Sequence, residues 1–254
     1  MVLWTGLSGI RVPPELVVQA GSRFLGQAFC EPSGVQRAPR VVVNAGHEEE
    51  RLPDALTGLN GAELGRARVQ GQDVTVWTNG SEEGAVAALR LGWNVAVHAE
   101  GGILVHGSAV AWNGRAILAI GPSTAGKSTF ASLCAAAGAT LLSDEILALL
   151  PDGRCAGTPF RSDLELPGCP GPFEAAAVVL LAKDQSERML AVSPSVLVRT
   201  CLAETFPGPL EPDRSEGFRR LVSFLSGVQT RTLHFRKSPA AGAFVRDWVC
   251  SLPR

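Results

Sequence analysis

The sequence predicts an α/β fold built on a mixed rather than purely parallel sheet. Three observations lead there. An apolar run, Arg115 to Ile120 (RAILAI), precedes a glycine-bounded loop, Gly121 to Thr129 (GPSTAGKST), and the overlapping Lys127 to Ala137 (KSTFASLCAAA) is strongly helix-forming. Two hairpin turns stand out, Asn113-Gly114 and Pro151-Asp152-Gly153, and hairpins create antiparallel neighbours. Farther on, apolar strand-like runs alternate with helix candidates and proline-rich loops.

The bulk properties narrow the class. Of 254 residues, 46% are hydrophobic and 19% charged, enough to build a sizeable core. Net charge is −1 and no basic block occurs, so composition offers no argument for nucleic acid or an anionic membrane as partner. The cysteines Cys30, Cys134, Cys155, Cys169, Cys201 and Cys250 include no C-x-x-C pair, which suits reduced, buried thiols better than disulfides or zinc. The start, MVLWTGLSGIRVPPE, lacks the basic end and long apolar stretch of a signal peptide. The longest apolar run, Ala175 to Ala182, is too short to cross a bilayer. The expectation is a soluble cytoplasmic protein, with a homo-oligomer left open.

Residues 1–80 read as a small, irregular, sheet-containing N-terminal region, broken by Pro13, Pro14, Pro32, Pro39 and Pro53. Its β-like runs are Glu15 to Val18, Arg40 to Val43 and Gln72 to Trp77, and Gly46 to Arg51 reads as a solvated loop or helix start. Residues 81–254 form the second unit. Ser81 suits an N-cap, with Glu82 and Glu83 in the first turn. Val86, Leu89, Trp93 and Val97 follow at helical spacing, and Gly101-Gly102 ends the helix.

Ile103 to Trp112 and Arg115 to Ile120 form the first hairpin around Asn113-Gly114. Beyond the loop helix, which stops at Gly138, Thr140 to Ser143 is a short strand ending in Asp144-Glu145. Ile146 to Leu150 and Arg154 to Gly157 make the second hairpin. Later strands are Ala175 to Ala182, Met189 to Val192 and Thr230 to Phe235. The helices between and after them are Val196 to Glu204, Gly217 to Leu225 and Ala240 to Ser251.

The loop carries the chemistry. It fits G-x-x-x-x-G-K-[ST], in which backbone N–H groups cradle nucleotide phosphates. Gly121 and Gly126 supply backbone freedom, and Ser123, Thr124, Ala125 and Thr129 contribute to the cradle. Lys127 reaches the outer phosphates and Ser128 holds magnesium. If Asn113-Gly114 is the turn, Trp112 pairs with Arg115, and the register carried down the ladder sets His106 opposite Gly121. Phosphoryl transfer also needs a carboxylate for Mg²⁺ and often another for the acceptor's proton, and LLSDE offers Asp144 and Glu145. Both reach one site only if the chain bends just after Ser143.

With these elements placed, Ile103 to Phe160 resembles the catalytic domain of HPr kinase/phosphorylase, and more closely the HPr-kinase-related proteins. The resemblance rests on LVHGSAV, GPSTAGKST, LLSDE and GTPF (Gly157 to Phe160), about a quarter of the chain. It implies a P-loop kinase domain related to phosphoenolpyruvate carboxykinase, using ATP and Mg²⁺ to phosphorylate a serine hydroxyl on a peptide or small protein. By that analogy Lys127 and the loop amides hold the β- and γ-phosphates, while Ser128 and Asp144 serve Mg²⁺. Glu145 stands where the family has a second aspartate as base, and the base role is open between Asp144 and Glu145. Glu165, in LELPG, corresponds to a further metal-binding acid of the family. No counterpart of the family's basic reverse-reaction loop is found; the nearest is Arg231 to Pro239. Arg161, Lys183, Arg199 and Arg236 are further candidate phosphate or substrate contacts, while His47, His98 and His234 read as structural. Two other readings stay open: a kinase of a small metabolite such as an amino acid or sugar, and a non-catalytic ATP-sensing or chaperone module.

Overall fold

The computed structural model describes residues 1–4, 9–21, 24, 29, 41–46, 52–57, 61–160, 164, 168–206 and 215–253. Within these, the chain builds two sheets. The first has strands β1 (Val2–Trp4), β2 (Gly9–Arg11), β3 (Val41–Ala45), β4 (Asp54–Thr57), β5 (Glu63–Gln70) and β6 (Asp73–Thr78). Their order is β1-β2-β3-β6-β5-β4, parallel at β2–β3 and β3–β6 and antiparallel elsewhere. The expected strand at Glu15 to Val18 is instead helix α1 (Pro14–Gln19). Pro14 opens it, because the fixed proline φ suits a first helical turn and the missing N–H would have no partner there. The expected loop at Gly46 to Arg51 lies, after Gly46, outside the described residues.

Helix α2 (Glu82–Ala99) joins the two sheets. Ser81 caps it by accepting from the Gly84 N–H at 3.0 Å. Trp93, 1% exposed, meets Phe29 and Phe160 edge-on with ring centroids 5.9 and 6.0 Å apart. Each such pair adds about 0.5–1.5 kcal/mol beyond the area it buries. The same apolar cluster runs from Leu3, Ile10 and Val41 through α2 to Leu104, Ile146 and Phe160, so one core crosses residue 80.

The second, nine-stranded sheet is mixed, as the hairpins predict. It holds β7 (Ile103–Trp112), β8 (Arg115–Ile120), β9 (Thr140–Ser143), β10 (Ile146–Leu149) and β11 (Arg154–Gly157). Then come β12 (Phe173–Lys183), β13 (Arg188–Ala191), β14 (Thr205–Phe206) and β15 (Gln229–Phe235). The main path is β11-β10-β7-β8-β12-β15-β13, parallel at β8–β12 and β12–β15 and antiparallel at β7–β8 and β13–β15. Asn113 and Gly114 take φ of 53° and 81°, the left-handed pair a two-residue hairpin turn requires. Trp112 pairs with Arg115, as the turn dictates.

Alternation along β8 divides the helices between the faces. Ala116, Leu118 and Ile120 pack with α4 (Pro194–Ala203) and α5 (Ser215–Ser226). Ile117 and Ala119 pack with α3 (Lys127–Ala136) and α6 (Pro239–Ser251). Cys134, Cys155 and Cys201 are buried free thiols, and burial pushes Cys155 and Cys201 up to about 12. No helix among the described residues is long and apolar enough to cross a membrane.

The strand partners of β7 change halfway along it. Its C-terminal half lies between β8 and β9, and its N-terminal half between β14 and β10. On one edge β8 stops at Ile120, opposite Gly107, where the chain leaves the sheet into the glycine loop. On the other edge the chain bends at Asp144-Glu145 between β9 and β10. His106 sits at this changeover.

Candidate functional site

The loop after β8 is held in an uncommon backbone shape. Gly126, the N-cap of α3, is left-handed at φ 101° and ψ 19°, which only glycine adopts freely. Thr124 has φ 70°, an outlier for a β-branched residue, and such strain concentrates at functional sites. The Ala125 N–H donates to Pro122 O at 3.2 Å, closing a turn, and the Phe130 N–H donates to Gly126 O at 2.8 Å, starting the helix. Pro122, Ser123 and Thr124 are exposed; Ala125, Ser128 and Thr129 are half-buried. The first N–H groups of α3 have no partner within the helix, and no acidic side chain occupies its first turn. Partial positive charge is therefore left facing outward.

Lys127 is buried behind this loop. Its Nζ donates to the carbonyl oxygens of Gly121 at 2.7 Å and Pro122 at 3.0 Å. The hydroxyl of Ser108, on β7, donates to its backbone carbonyl at 3.2 Å, tying the helix start to the sheet. Burial lowers the ammonium below the ordinary lysine range, and the charges of Glu204 and Glu145 oppose that shift. Two acids thus stand within electrostatic reach of the lysine.

Those acids flank His106. Nδ1 lies 3.0 Å from Glu204 Oε2, and Nε2 lies 3.8 Å from Glu145 Oε2. The backbone repeats the bracket: the His106 N–H donates to Glu204 O at 2.8 Å, and the Gly107 N–H to Glu145 O at 3.1 Å. The β7–β8 ladder ends at Gly107–Ile120, so His106 lies one residue beyond it and bonds to Glu204 rather than to Gly121. Arg90, from α2, brings a guanidinium nitrogen, Nη2, 3.7 Å from Glu145 Oε1. Its guanidinium lies over Phe160 at 5.6 Å and Phe206 at 5.8 Å. Burial pulls the Arg90 pKa down, against the attraction of Glu145.

The bend after Ser143 divides the acid pair. The Ser143 hydroxyl accepts from the N–H groups of Glu145 and Ile146, both at 3.3 Å, and so fixes the bend. Glu145 turns toward His106 and Arg90. Asp144, 4% exposed, accepts from the Leu164 N–H at 2.9 Å. The site therefore groups Lys127, His106 and Glu145, with Asp144 anchored to the neighbouring loop. Ser128 stands in the first turn of α3. Glu165 and Arg161 lie outside the described residues, which contain no cluster of three or more His, Cys, Asp or Glu suited to a metal.

Arg199 and Lys183 are exposed, and Arg236 is 3.7 Å from Glu187. His98 packs with Arg220 and His234 with Asp184, while His47 lies outside the described residues.

Sequence reasoning missed Glu204 and Arg90, although each leaves a trace. Glu204 is the C-cap of α4, where negative charge opposes the helix dipole by about 0.3–1 kcal/mol. Arg90 falls in the apolar stripe Val86, Trp93 and Val97, four residues after the first. A charge placed against local preference is the signal in both.

No family model and no curated protein matches this chain. Among solved structures, the Hpr(Ser) kinase/phosphatase from Coxiella burnetii aligns with 57% of this chain and 95% of its own. The identity is 15% and the TM-score 0.29. A likeness that loose assigns no residue a role, and the functional reading rests on the side chains described above.

Proposed function

We propose that this chain is a Mg·ATP-dependent kinase that phosphorylates a hydroxyl, serine by preference, on a peptide or small protein. One observation carries the reading. A buried lysine at the start of a glycine-loop helix shares its surroundings with an imidazole and two carboxylates. Phosphoryl transfer needs that combination: cationic and amide donors for the phosphates, and an acceptor for the hydroxyl proton.

The loop amides of Ser123 to Thr129 and the Lys127 ammonium would hold the β- and γ-phosphates. Mg²⁺ bound with a nucleotide needs only one or two protein ligands beside the phosphates. The Ser128 hydroxyl and the buried Asp144 carboxylate fit that demand chemically, with Glu165 as the further acid. When bound, the ion neutralises charge on the phosphates. Glu145 and His106 face the acceptor as the pair that takes up its single proton, which favours Glu145 over Asp144, whose carboxylate accepts from Leu164. Alignment of these groups and charge neutralisation supply most of the rate.

The test is an acceptor screen with γ-labelled ATP and Mg²⁺, read by mass spectrometry of co-expressed candidate peptides. Phosphoserine on a peptide is the expected product. Label on an amino acid or sugar would replace the peptide by a metabolite. Tight nucleotide binding without transfer to any acceptor would leave an ATP-sensing module.

A further inference from the structure

We infer that Glu204 is a positioning residue: it fixes the tautomer and orientation of His106, so that Nε2 is the atom that receives the acceptor's proton. The inference rests on the kinase reading above for its role in transfer, but its structural half stands alone.

Glu204 grips His106 at two points, through the side chain at Nδ1 and through its own carbonyl at the backbone N–H. An ionised carboxylate can only accept, so the ring nitrogen 3.0 Å from it carries the hydrogen. In the neutral imidazole the lone pair is then on Nε2, and which nitrogen holds the proton is set by the bond the other makes. Nε2 points toward Glu145 across 3.8 Å, too far for a hydrogen bond between them. A hydroxyl brought to that side meets an acceptor on the imidazole and a second on Glu145.

Glu204 is itself held rigidly. Its N–H donates to Cys201 O at 3.2 Å, and the Thr205 hydroxyl donates to the same carbonyl at 2.8 Å. Buried Leu197 and Cys201 anchor α4 to the sheet, and β14 continues directly onto β7. An acid at a helix C-terminus gains nothing from the helix. Here its partner is an imidazole that gains charge when it accepts a proton.

The acceptor oxygen forms a bond to the γ-phosphorus while its O–H bond breaks and the proton passes to His106 Nε2. The bond from the γ-phosphorus to the β,γ-bridging oxygen breaks, and that electron pair leaves on ADP. The new positive charge lies between Glu204 and Glu145.

Two measurements on the full chain test this. Imidazole ¹⁵N spectra of the labelled protein, taken at alkaline pH, report each tautomer, and His106→Gln assigns the signal among four histidines. Wild type is expected to show His106 protonated at Nδ1. Glu204→Gln, which can still accept through its amide oxygen, keeps that form, and Glu204→Ala yields a mixture. Glu204→Leu keeps a similar volume without an acceptor if the alanine variant fails to fold. In Mg·ATP turnover, kcat of Glu204→Ala should fall about 10²-fold with KM for ATP within about twofold, and Glu204→Gln should recover most of it. A tautomer unchanged in Glu204→Ala overturns the inference, as does a changed tautomer with unchanged kcat. If wild type transfers phosphate to no acceptor, the kinase reading fails on its own account, and the ring spectrum still decides what Glu204 does to His106.

Discussion

Lys127 Nζ donates to the carbonyl oxygen of Gly121 at 2.7 Å, so the ammonium folds back onto the loop that its own helix follows. The lysine is thereby held ready beside the loop amides, and phosphate oxygens could take the place of the two carbonyls. Lys127→Met should keep the fold, because the side chain sits among loop atoms rather than deep in the sheet. It should lower transfer by about 10²–10³-fold, the usual effect of losing one preorganised donor. Transfer equal to wild type would remove Lys127 from the mechanism.

The same variant carries a pH signature. Burial lowers the Lys127 pKa in the folded chain below the ordinary value of 10.5. Between the two values the unfolded chain binds the proton more readily, so stability rises with pH through that window. As pH rises toward 10.5, the unfolding midpoint of wild type should therefore gain on that of Lys127→Met. A gain in the opposite direction would mean that Glu204 and Glu145 outweigh the desolvation.

Asp144 and Glu145 should fail differently. Glu145 faces His106 and Arg90, whereas Asp144 turns to the Leu164 N–H. Glu145→Gln should bind nucleotide normally and lose about 10²–10⁴-fold in kcat, with no rescue by added Mg²⁺. Asp144→Asn should raise the Mg²⁺ concentration needed for half-maximal rate. Titrating both variants with Mg²⁺ separates them, and the reverse pattern would exchange their roles.

What the sequence reveals of this site follows from the range over which each interaction acts. The Asn113-Gly114 turn fixes the hairpin register locally, so the Trp112–Arg115 pairing is legible from two residues. The Ser81 cap and the Gly126–Lys127 helix start are equally local. The segment Pro14–Gln19 is misread because its valines favour strands, while the proline that starts the helix says nothing of its length. The strands β4 and β5 carry mostly exposed or small residues such as Gly65 and Ala67, and show no clean alternation. The His106–Glu204 contact spans 98 residues, and only the pairing of β14 with β7 creates it. Periodicity and motif spacing do not encode so distant a neighbour.

Thr124 stores strain that glycine would release. A non-glycine residue in the left-handed region costs about 1–2 kcal/mol, and a β-branched one is hindered further. Glycine's extra freedom in the unfolded chain returns about 0.5–1 kcal/mol of that. Thr124→Gly should therefore raise stability by about 1 kcal/mol, seen as a higher urea midpoint at constant slope. It should also loosen the cradle and raise KM for ATP. A lower midpoint would show that the threonine side chain contributes more than its backbone costs.

Gly242 should be the least replaceable residue of α6. A Cβ built there would stand 2.1 Å from Leu133 O and 3.0 Å from Ala137 Cβ, both belonging to α3 or its C-terminal cap. The contact is with backbone, so no rotamer change relieves it, and the two helices must separate. Overpacking of this kind costs about 3 kcal/mol at its upper end, and alanine's better helix propensity returns about 1 kcal/mol. Gly242→Ala should thus destabilise the protein by about 2 kcal/mol in a urea titration. Because α3 starts at Lys127, its displacement should also raise KM for ATP. A stable variant with unchanged KM would show that the helices part without moving the loop, and that α6 does not set the position of the lysine.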